Sequence, residues 1–173
     1  MTVQRGDQGR SWDGIEAPTL WQLIERRAET SPDGTTAVDD RGTSLTFREY
    51  RDRAERVAAG LHGLGIGEGT VVSWQFPTRI DALVLAGALA RLGAVQNPML
   101  PVYRQREMTF IARQACTRLL IVPGGWRGTD YPALAADVAA TVPGLEVLVA
   151  GTELPQADPE VLPPFQAPPP DRP

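Results

Sequence analysis

Short apolar strands alternate with helices from residue 71 to residue 150, and this alternation restricts the possible folds more than any other feature of the sequence. We predict strands at residues 71–76, 94–96, 118–122 and 146–150, and helices at residues 79–92, 104–116 and 132–142. Strands that are joined by helices pair in parallel through right-handed crossovers. The sequence therefore predicts an α/β fold with a layered, mainly parallel sheet and helices on both faces. The helix at residues 79–92 is apolar on three sides, which predicts burial between layers.

Two further helices and a hairpin are predicted before this alternation. The first helix covers residues 19–29 with Thr19 as its N-cap. Its packed face is predicted to contain Leu20, Leu23, Ile24 and Arg27. A hairpin at residues 36–39 and 44–46 follows, in which Gly42 supplies a positive φ.

Thr46 and Glu49 have the spacing of a capping box, which predicts a helix from there to about residue 64. Its buried stripe is predicted to contain Tyr50, Ala54, Val57, Leu61 and Leu64. The glycines at positions 63, 65, 67 and 69 close this helix and precede a strand, whereas a dinucleotide fingerprint follows a strand and opens a helix. They therefore indicate a helix C-cap and a tight turn.

Composition divides the chain into three parts. Residues 1–16 are polar and predict a flexible N-terminus, and residues 17–152 form the α/β unit. Residues 153–173 are rich in proline, and we predict a linker or tail that burial does not order. A ligand for a proline-recognition domain is the alternative interpretation.

Charge and cysteine usage exclude several classes of function. The net charge is −4 and the pI is near 5.0, so no basic field is available for nucleic acid or for an anionic membrane. The first sixteen residues lack the apolar core of a signal peptide. The longest apolar run, residues 82–90, is shorter than the roughly 20 residues that span a bilayer. Cys116 is the single cysteine, which excludes an internal disulfide and indicates the cytoplasm.

All 17 basic residues are arginine. A GC-rich coding sequence is one explanation. Whatever the cause, no side chain of this chain can form a Schiff base or donate an ε-ammonium to a leaving phosphate.

Individual residues predict no catalytic constellation and no metal site. His62 is the only histidine and lacks an orienting partner in the sequence pattern. Cys116 lies near a helix end and is predicted to be a small core residue. Asp39 and Asp40 fall in the hairpin, where solvated carboxylates are ordinary.

Three arginines are the candidates for binding the phosphates of a cofactor. Arg127 follows Gly124 and Gly125 between a strand and a helix, where α/β proteins bind anions. Arg79 opens a helix, and Arg104 follows a proline-bounded loop. The alternative for the loop is a plain surface turn, and the alternative for Arg79 and Arg104 is a solvated guanidinium.

Several motifs resemble, in order and spacing, one enzyme family over roughly residues 17–150. They are Thr19-Leu20-Trp21, Leu45-Thr46-Phe47-Arg48-Glu49-Tyr50, Gly65-Ile66-Gly67-Glu68-Gly69-Thr70-Val71-Val72, Gln75-Phe76-Pro77 and Leu89-Ala90-Arg91-Leu92-Gly93-Ala94-Val95. The chain is similar to the N-terminal portion of the adenylate-forming, or AMP-binding, acyl-CoA synthetases. The finer wording at residues 72–77 and 97–104 resembles the cyclohexanecarboxylate- and medium-chain-type CoA ligases.

The resemblance implies a ligase that uses ATP, Mg²⁺ and coenzyme A to convert a carboxylic acid first to acyl-AMP and then to acyl-CoA. In that family a Ser/Thr/Gly-rich phosphate loop, acidic residues and a lysine carry the phosphate chemistry. None has a matching position in this chain, so we transfer no catalytic residue. We expect an N-terminal fragment, from a truncated gene or a split enzyme, that holds no cofactor and is inactive alone.

Two alternatives stay open. The chain could be a free-standing binding or regulatory module that pairs with a full-length synthetase or captures an acyl or nucleotide ligand. It could also be a small α/β nucleotide-binding enzyme of another type that uses the Gly124-Gly125 loop. If it is a fragment, we expect exposed apolar surface on the sheet or on the helix at residues 79–92, and hence pairing with the rest of the synthetase or self-association.

Overall fold

The computed structural model describes residues 17–40, 42–151 and 153–167, so the predicted flexible N-terminus lies outside the described residues. Helix α1 (Leu20–Thr30) starts the fold, followed by the antiparallel strands β1 (Thr35–Val38) and β2 (Ser44–Thr46). Helix α2 (Phe47–Gly63) then begins at the predicted capping box, in which Thr46 Oγ accepts from the Glu49 amide at 3.2 Å. The hairpin turn has Gly42 at φ +82°, as its position in the sequence predicts.

Four parallel strands form the central sheet. In chain order the elements are β3 (Val71–Trp74), α3 (Ile80–Arg91), β4 (Val95–Pro98), α4 (Gln105–Gln114), β5 (Leu119–Pro123), α5 (Tyr131–Ala139) and β6 (Glu146–Ala150). The strand order is β4-β3-β5-β6, and every pairing is parallel. The predicted α/β fold class is confirmed.

Two apolar cores lie on opposite faces of the sheet. Along β5, Leu119 and Ile121 face the core beneath α1, α2 and α3, while Leu120 and Val122 face the core beneath α4 and α5. All four side chains are buried, because β5 is a central strand that is covered on both faces. The predicted arrangement with helices on both sides of the sheet is therefore correct.

Helix α3 is buried between layers, as its all-round apolar character predicts. Its Gly87 contacts α2 so closely that an added Cβ would lie 2.9 Å from the Tyr50 hydroxyl. The edge strands of the sheet expose Val95 (50%) and Val149 (41%), so the expected exposed apolar surface lies on the sheet and not on α3. The covering of α3 comes from α1, α2 and a C-terminal segment described below.

The packed faces of α1 and α2 differ in detail from the predictions. Trp21, Ile24 and Ala28 are buried on α1, whereas Leu20 is 49% exposed. The buried face of α1 is therefore rotated by about one residue from the predicted face, because the large Trp21 side chain points into the core in place of Leu20. Leu64 lies past the end of α2 and is 46% exposed, although it was predicted on the buried stripe.

Residues 153–167, which we call the strap, cross the outer surface of α2 and α3. Leu154 is buried, Leu162 and Phe165 pack against the core, and a single 3₁₀ turn (Pro159–Val161) is the only regular element of the strap. The strap contains no α-helix and pairs with no strand, so a few side chains and backbone carbonyls hold it in place. The expectation that burial cannot order this proline-rich segment therefore fails for these residues.

Helices α2, α3 and α4 end in the same left-handed C-cap. The second residue after each helix has positive φ, at Gly65 (φ +77°), Gly93 (φ +65°) and Cys116 (φ +51°). The next amide donates to the carbonyl five residues earlier, as in Thr117 N to Ala112 O at 2.9 Å. Cys116 is exposed at this turn, so its prediction as a core residue is wrong.

No helix within the described ranges combines the length and the apolar character that a membrane crossing requires.

Candidate functional site

The carboxyl edge of the sheet is the candidate site. From β3 the chain passes to β4 on one side, and from β4 it returns to β5 on the other side. This reversal places a crevice between the ends of β3 and β5, the position at which open α/β sheets bind ligands. The segments after Trp74 and after Pro123 border the crevice.

Gln75 is the buried polar centre of this edge. Its backbone amide continues the ladder to Ile121 O at 3.0 Å, and its side chain is 0% exposed. The side-chain Nε2 donates to Leu100 O at 2.6 Å and to Tyr103 O at 3.2 Å. Gln75 Oε1 has no hydrogen-bond partner among the described residues. Gln75 thus anchors the loop between β4 and α4 to the end of β3.

Two more side chains fix the same loop. Arg104 donates from Nη1 to Pro101 O and to Tyr103 O, both at 2.9 Å, and the Tyr131 hydroxyl donates to Pro101 O at 3.2 Å. Because its carbonyls are held inward, the loop turns Leu100 and Val102 outward, where they are 58% and 72% exposed. We call residues 99–104 the anchored loop.

Arg104 therefore stabilises the anchored loop to which it belongs. Its Nη2 also reaches Thr129 Oγ1 at 3.4 Å, which links the anchored loop to the glycine-rich loop. Its amide donates to Glu107 at 3.1 Å, and this hydrogen bond lowers the pKa of the Glu107 carboxyl. The guanidinium has three described acceptors, and its role as a phosphate ligand stays a prediction.

The glycine-rich loop is a small hairpin. Arg127 (φ +47°) and Gly128 (φ +77°) form a turn of the I′ type, and Trp126 and Thr129 exchange hydrogen bonds across it at 3.3 and 3.0 Å. The Gly124 amide donates to Ala150 O at 3.1 Å. Three of the loop amides are therefore already occupied within the fold.

The N-terminus of α5, which follows this hairpin, also carries its own anion. Asp130 Oδ1 accepts from the Ala133 amide at 3.0 Å, so a carboxylate caps the helix. Arg127 is exposed and its guanidinium carbon lies 4.6 Å from the Trp126 ring centroid. Loop and helix end together resemble a self-satisfied turn rather than a phosphate cradle.

Arg79 lies on the other side of the crevice. It is exposed at the start of α3 and borders a cavity of about 220 Å³. Acidic Asp81 and Glu153 share this cavity with apolar Phe76 and Pro77. Asp81 in turn pairs with Arg53 at 3.2 Å. The mixed lining suits a polar contact surface better than a dedicated anion site.

The sequence placed Arg79 at a helix start, Arg104 after a proline-bounded loop and Arg127 between a strand and a helix. All three lie at the carboxyl edge of the sheet. The structure connects only Arg104 with the loop that carries Arg127. Gln75 and Tyr131 were missed as site residues. Gln75 had one available signal, a polar residue at the end of an apolar strand where burial demands a partner.

The remaining candidates lie elsewhere. His62 borders a cavity at the amino edge of the sheet, and the Asp39 carboxylate accepts from the Thr43 amide inside the hairpin. Within the described ranges, His, Cys, Asp and Glu residues form no group of three or more that could hold a metal ion. Burial raises the pKa of Tyr50 to about 12, but Tyr50 belongs to the α2–α3 contact.

Comparisons with known proteins agree on one family. A family model described as "AMP-binding enzyme" matches residues 24–172. The 2-hydroxy-7-methoxy-5-methyl-1-naphthoate–CoA ligase of Streptomyces carzinostaticus is 33% identical over 144 residues, which are 83% of this chain and 25% of that ligase. The 2,3-dihydroxybenzoate-AMP ligase of Bacillus subtilis is 34% identical over 134 residues, 77% of this chain and 25% of that ligase.

A solved structure gives the same result. A Rhodopseudomonas palustris protein, provisionally described as a long-chain-fatty-acid CoA ligase, superposes with a TM-score of 0.69 at 29% identity. The match covers 87% of this chain and 38% of the other. The chain spans about a quarter of the length of the Streptomyces and Bacillus ligases.

Proposed function

The chain belongs to the family of AMP-binding enzymes, and we propose that it forms the N-terminal portion of a ligase that joins a carboxylic acid to coenzyme A. In the first step a carboxylate oxygen attacks the α-phosphate of ATP, and pyrophosphate leaves. In the second step the thiol of coenzyme A attacks the acyl carbon, loses its proton, and AMP leaves. The observation that carries this proposal is the family match over residues 24–172 together with the shared fold.

The described residues supply scaffold and surface to this reaction. Three amides of the glycine-rich loop are engaged within the fold, and the sequence has no lysine to stabilise charge on a phosphoryl group. The described carboxylates do not form a cluster that fits Mg²⁺, so we derive no step through the metal on this chain. We propose that ATP, Mg²⁺ and coenzyme A are bound mainly by the remainder of the ligase, and that this chain alone is inactive.

The anchored loop supports a role beside a larger partner. Leu100 and Val102 project from a loop whose backbone is held by Gln75, Tyr131 and Arg104, and Gln75 Oε1 behind them has no donor among the described residues. A rigid loop with exposed apolar tips is typical of a contact surface. The same observation favours the second candidate, a separate module that pairs with a full-length synthetase.

We propose a ring-bearing carboxylic acid as the substrate class. The Streptomyces and Bacillus relatives are named for naphthoate and dihydroxybenzoate, which are aromatic acids. The resemblance at residues 72–77 and 97–104 favours cyclohexanecarboxylate or medium-chain acids. A cytoplasmic location remains part of this proposal.

Acid-dependent exchange of labelled pyrophosphate into ATP tests the proposal. The purified chain should give no exchange with benzoate, salicylate, cyclohexanecarboxylate or octanoate, while the Bacillus 2,3-dihydroxybenzoate-AMP ligase serves as the positive control. Adding a complementary polypeptide that supplies the remainder of the ligase should restore exchange with one acid class. Exchange by the chain alone would refute its inactivity, and failure of every acid in the restored enzyme would refute the ligase assignment.

Calorimetric titration separates the second candidate from the first. A free-standing nucleotide- or acyl-binding module should release heat with millimolar ATP or coenzyme A. The N-terminal portion of a ligase should release heat only with its complementary polypeptide.

A further inference from the structure

The strap runs along the strand direction, from the carboxyl ends of the strands to their amino ends. It starts at the carboxyl edge, where Glu153 and Leu154 border the cavity beside Arg79. It ends at the amino edge, where residues 163–166 border a second cavity of about 290 Å³ with Gly67 and Gly93. An extended segment here covers the distance that a crossover helix covers in the rest of the sheet.

The first anchor of the strap is the surface of α2 at Gly60. A Cβ built on Gly60 would lie 2.5 Å from Pro155 O, so only glycine admits the strap at this distance. The Ala157 amide donates to Arg56 O at 3.0 Å. Arg56 Nε also donates to Gln156 Oε1 at 3.3 Å. Backbone and side-chain contacts therefore meet within one helical turn.

The second anchor is Arg91 at the end of α3. Its Nη2 donates to Pro163 O at 2.8 Å, and its guanidinium carbon lies 5.8 Å from the Trp21 ring centroid and 6.0 Å from that of Phe165. Glu55 Oε1 lies 4.0 Å from its Nε. The Arg91 side chain is only 10% exposed, so the strap and α1 enclose it.

The segment between the anchors is stiff. Prolines at positions 155, 159, 163 and 164 fix φ, and Asp158 Oδ1 caps the Pro159–Val161 turn by accepting from the Glu160 amide at 3.0 Å. Among the described residues, the Ala157 amide is the only backbone donor that joins the strap to α2 or α3. A stiff segment held by few contacts opens at a low free energy and as a unit.

We propose that the strap is a latch that leaves and regains the α2–α3 surface as one body, so that release of the Arg91 anchor also frees the Gly60 anchor. When closed, the latch covers α3 and sets the amino edge as the point from which the following polypeptide departs. This second consequence rests on the proposed function, because it needs the remainder of the ligase. Opening uncovers apolar surface of α2 and α3 without disturbing the sheet.

Amide exchange followed residue by residue in the full chain by NMR tests the latch. Arg91→Ala should speed exchange of the Ala157 amide at least roughly tenfold, although Ala157 contacts the other anchor. The amides of Leu120 and Ile121 in β5 report global stability in the same sample. Arg106→Ala, on the exposed face of α4, is the matched control and should leave Ala157 unchanged.

Gly60→Ala tests the same coupling from the opposite end. The added Cβ should lift the strap, expose the side chains of Leu162 and Phe165 and so shift their NMR signals, and speed exchange of the Phe165 amide beside the intact Arg91. Gly63→Ala is its control, because a Cβ at Gly63 meets nothing within 4 Å. The double variant Gly60→Ala, Arg91→Ala should exchange no faster than the faster single variant.

Two results would overturn the latch. One is an Arg91→Ala variant in which the Phe165 and Gln166 amides exchange faster while Ala157 keeps its wild-type rate relative to β5. The other is a double variant whose effects multiply, as expected for independent anchors. These measurements need no nucleotide and no second polypeptide, so they can fail while pyrophosphate exchange succeeds, and the reverse also holds.

Discussion

At the scale of single residues, Gln75 shows how one buried amide group can position a surface loop. Its two donated hydrogen bonds satisfy carbonyls that would otherwise point into the protein beneath Leu100. If the side chain becomes apolar, both bonds are lost, although Leu100 O still accepts from the Tyr103 amide at 3.0 Å and Tyr103 O from Arg104 Nη1 at 2.9 Å. Each lost hydrogen bond contributes about 0.5–1.5 kcal/mol net.

Gln75→Leu should therefore lower the free energy of unfolding by about 2 kcal/mol. Urea denaturation followed by tryptophan fluorescence measures this change. The matched control is Gln105→Leu, since Gln105 is exposed and its nearest acceptor, Asp137 O, lies 3.5 Å away. A Gln75→Leu protein as stable as the control would show that water replaces the amide at no cost.

At the scale of elements, the shared C-cap of α2, α3 and α4 explains which residues the helix ends require. Gly65 and Gly93 adopt positive φ without strain, whereas Cys116 holds a Cβ in the same conformation. Cys116 is exposed, so burial does not compensate for the strain. Cys116 is thus the one residue of the three whose side chain makes the positive φ unfavourable.

Cys116→Gly should raise the free energy of unfolding by about 0.5–1 kcal/mol, because relief of strain outweighs the added flexibility of the unfolded chain. Cys116→Ala keeps the Cβ and should stay close to wild type. Thermal denaturation of both variants under reducing conditions gives the comparison. If alanine and glycine stabilise equally, the thiol and not the backbone conformation is the unfavourable group.

The elements themselves were predictable to within a few residues. Periodicity located the helices and strands, and the capping box fixed the start of α2 because Thr46 and Glu49 act locally. Strand order was beyond reach, since pairing of β3 with both β4 and β5 depends on contacts that are distant in sequence. The family resemblance added the fold and the family; the family match confirmed the membership, and the solved structure confirmed the fold.

The strap and the anchored loop escaped prediction for a common reason. Both are held by hydrogen bonds to backbone carbonyls. Every residue has such a carbonyl, so the sequence does not show which of them will accept a hydrogen bond from a distant side chain. Gly60 illustrates this, because a glycine inside a helix gives no sign of the chain segment that will contact it ninety-five residues later at Pro155. Composition alone suggested a free tail.

At the scale of the whole molecule, the exposed apolar side chains of the anchored loop predict association. Val102→Glu places a charge on the most exposed of them and should weaken self-association or binding of a complementary polypeptide by roughly tenfold, with no loss of stability. Sedimentation equilibrium over a range of concentrations measures the effect.

Val38→Glu supplies the control for this experiment. Val38 is 62% exposed on the β1–β2 hairpin and lies away from the anchored loop. A chain that stays monomeric at every concentration, with or without its complementary polypeptide, would contradict the assignment of the loop as a contact surface. Equal weakening by both substitutions would point to general hydrophobic clustering.

The path of the strap also has a mechanical consequence. A pulling force applied beyond residue 167 reaches the Arg91 anchor first, and only then the contacts at Gly60. Because the strap leaves as one body, release of Arg91 would free the contacts at Gly60 in the same event, while the parallel strands would still bear no load. Release of the strap thus lengthens the connection to an attached domain, so that the domain can move away from the sheet before force reaches the strands.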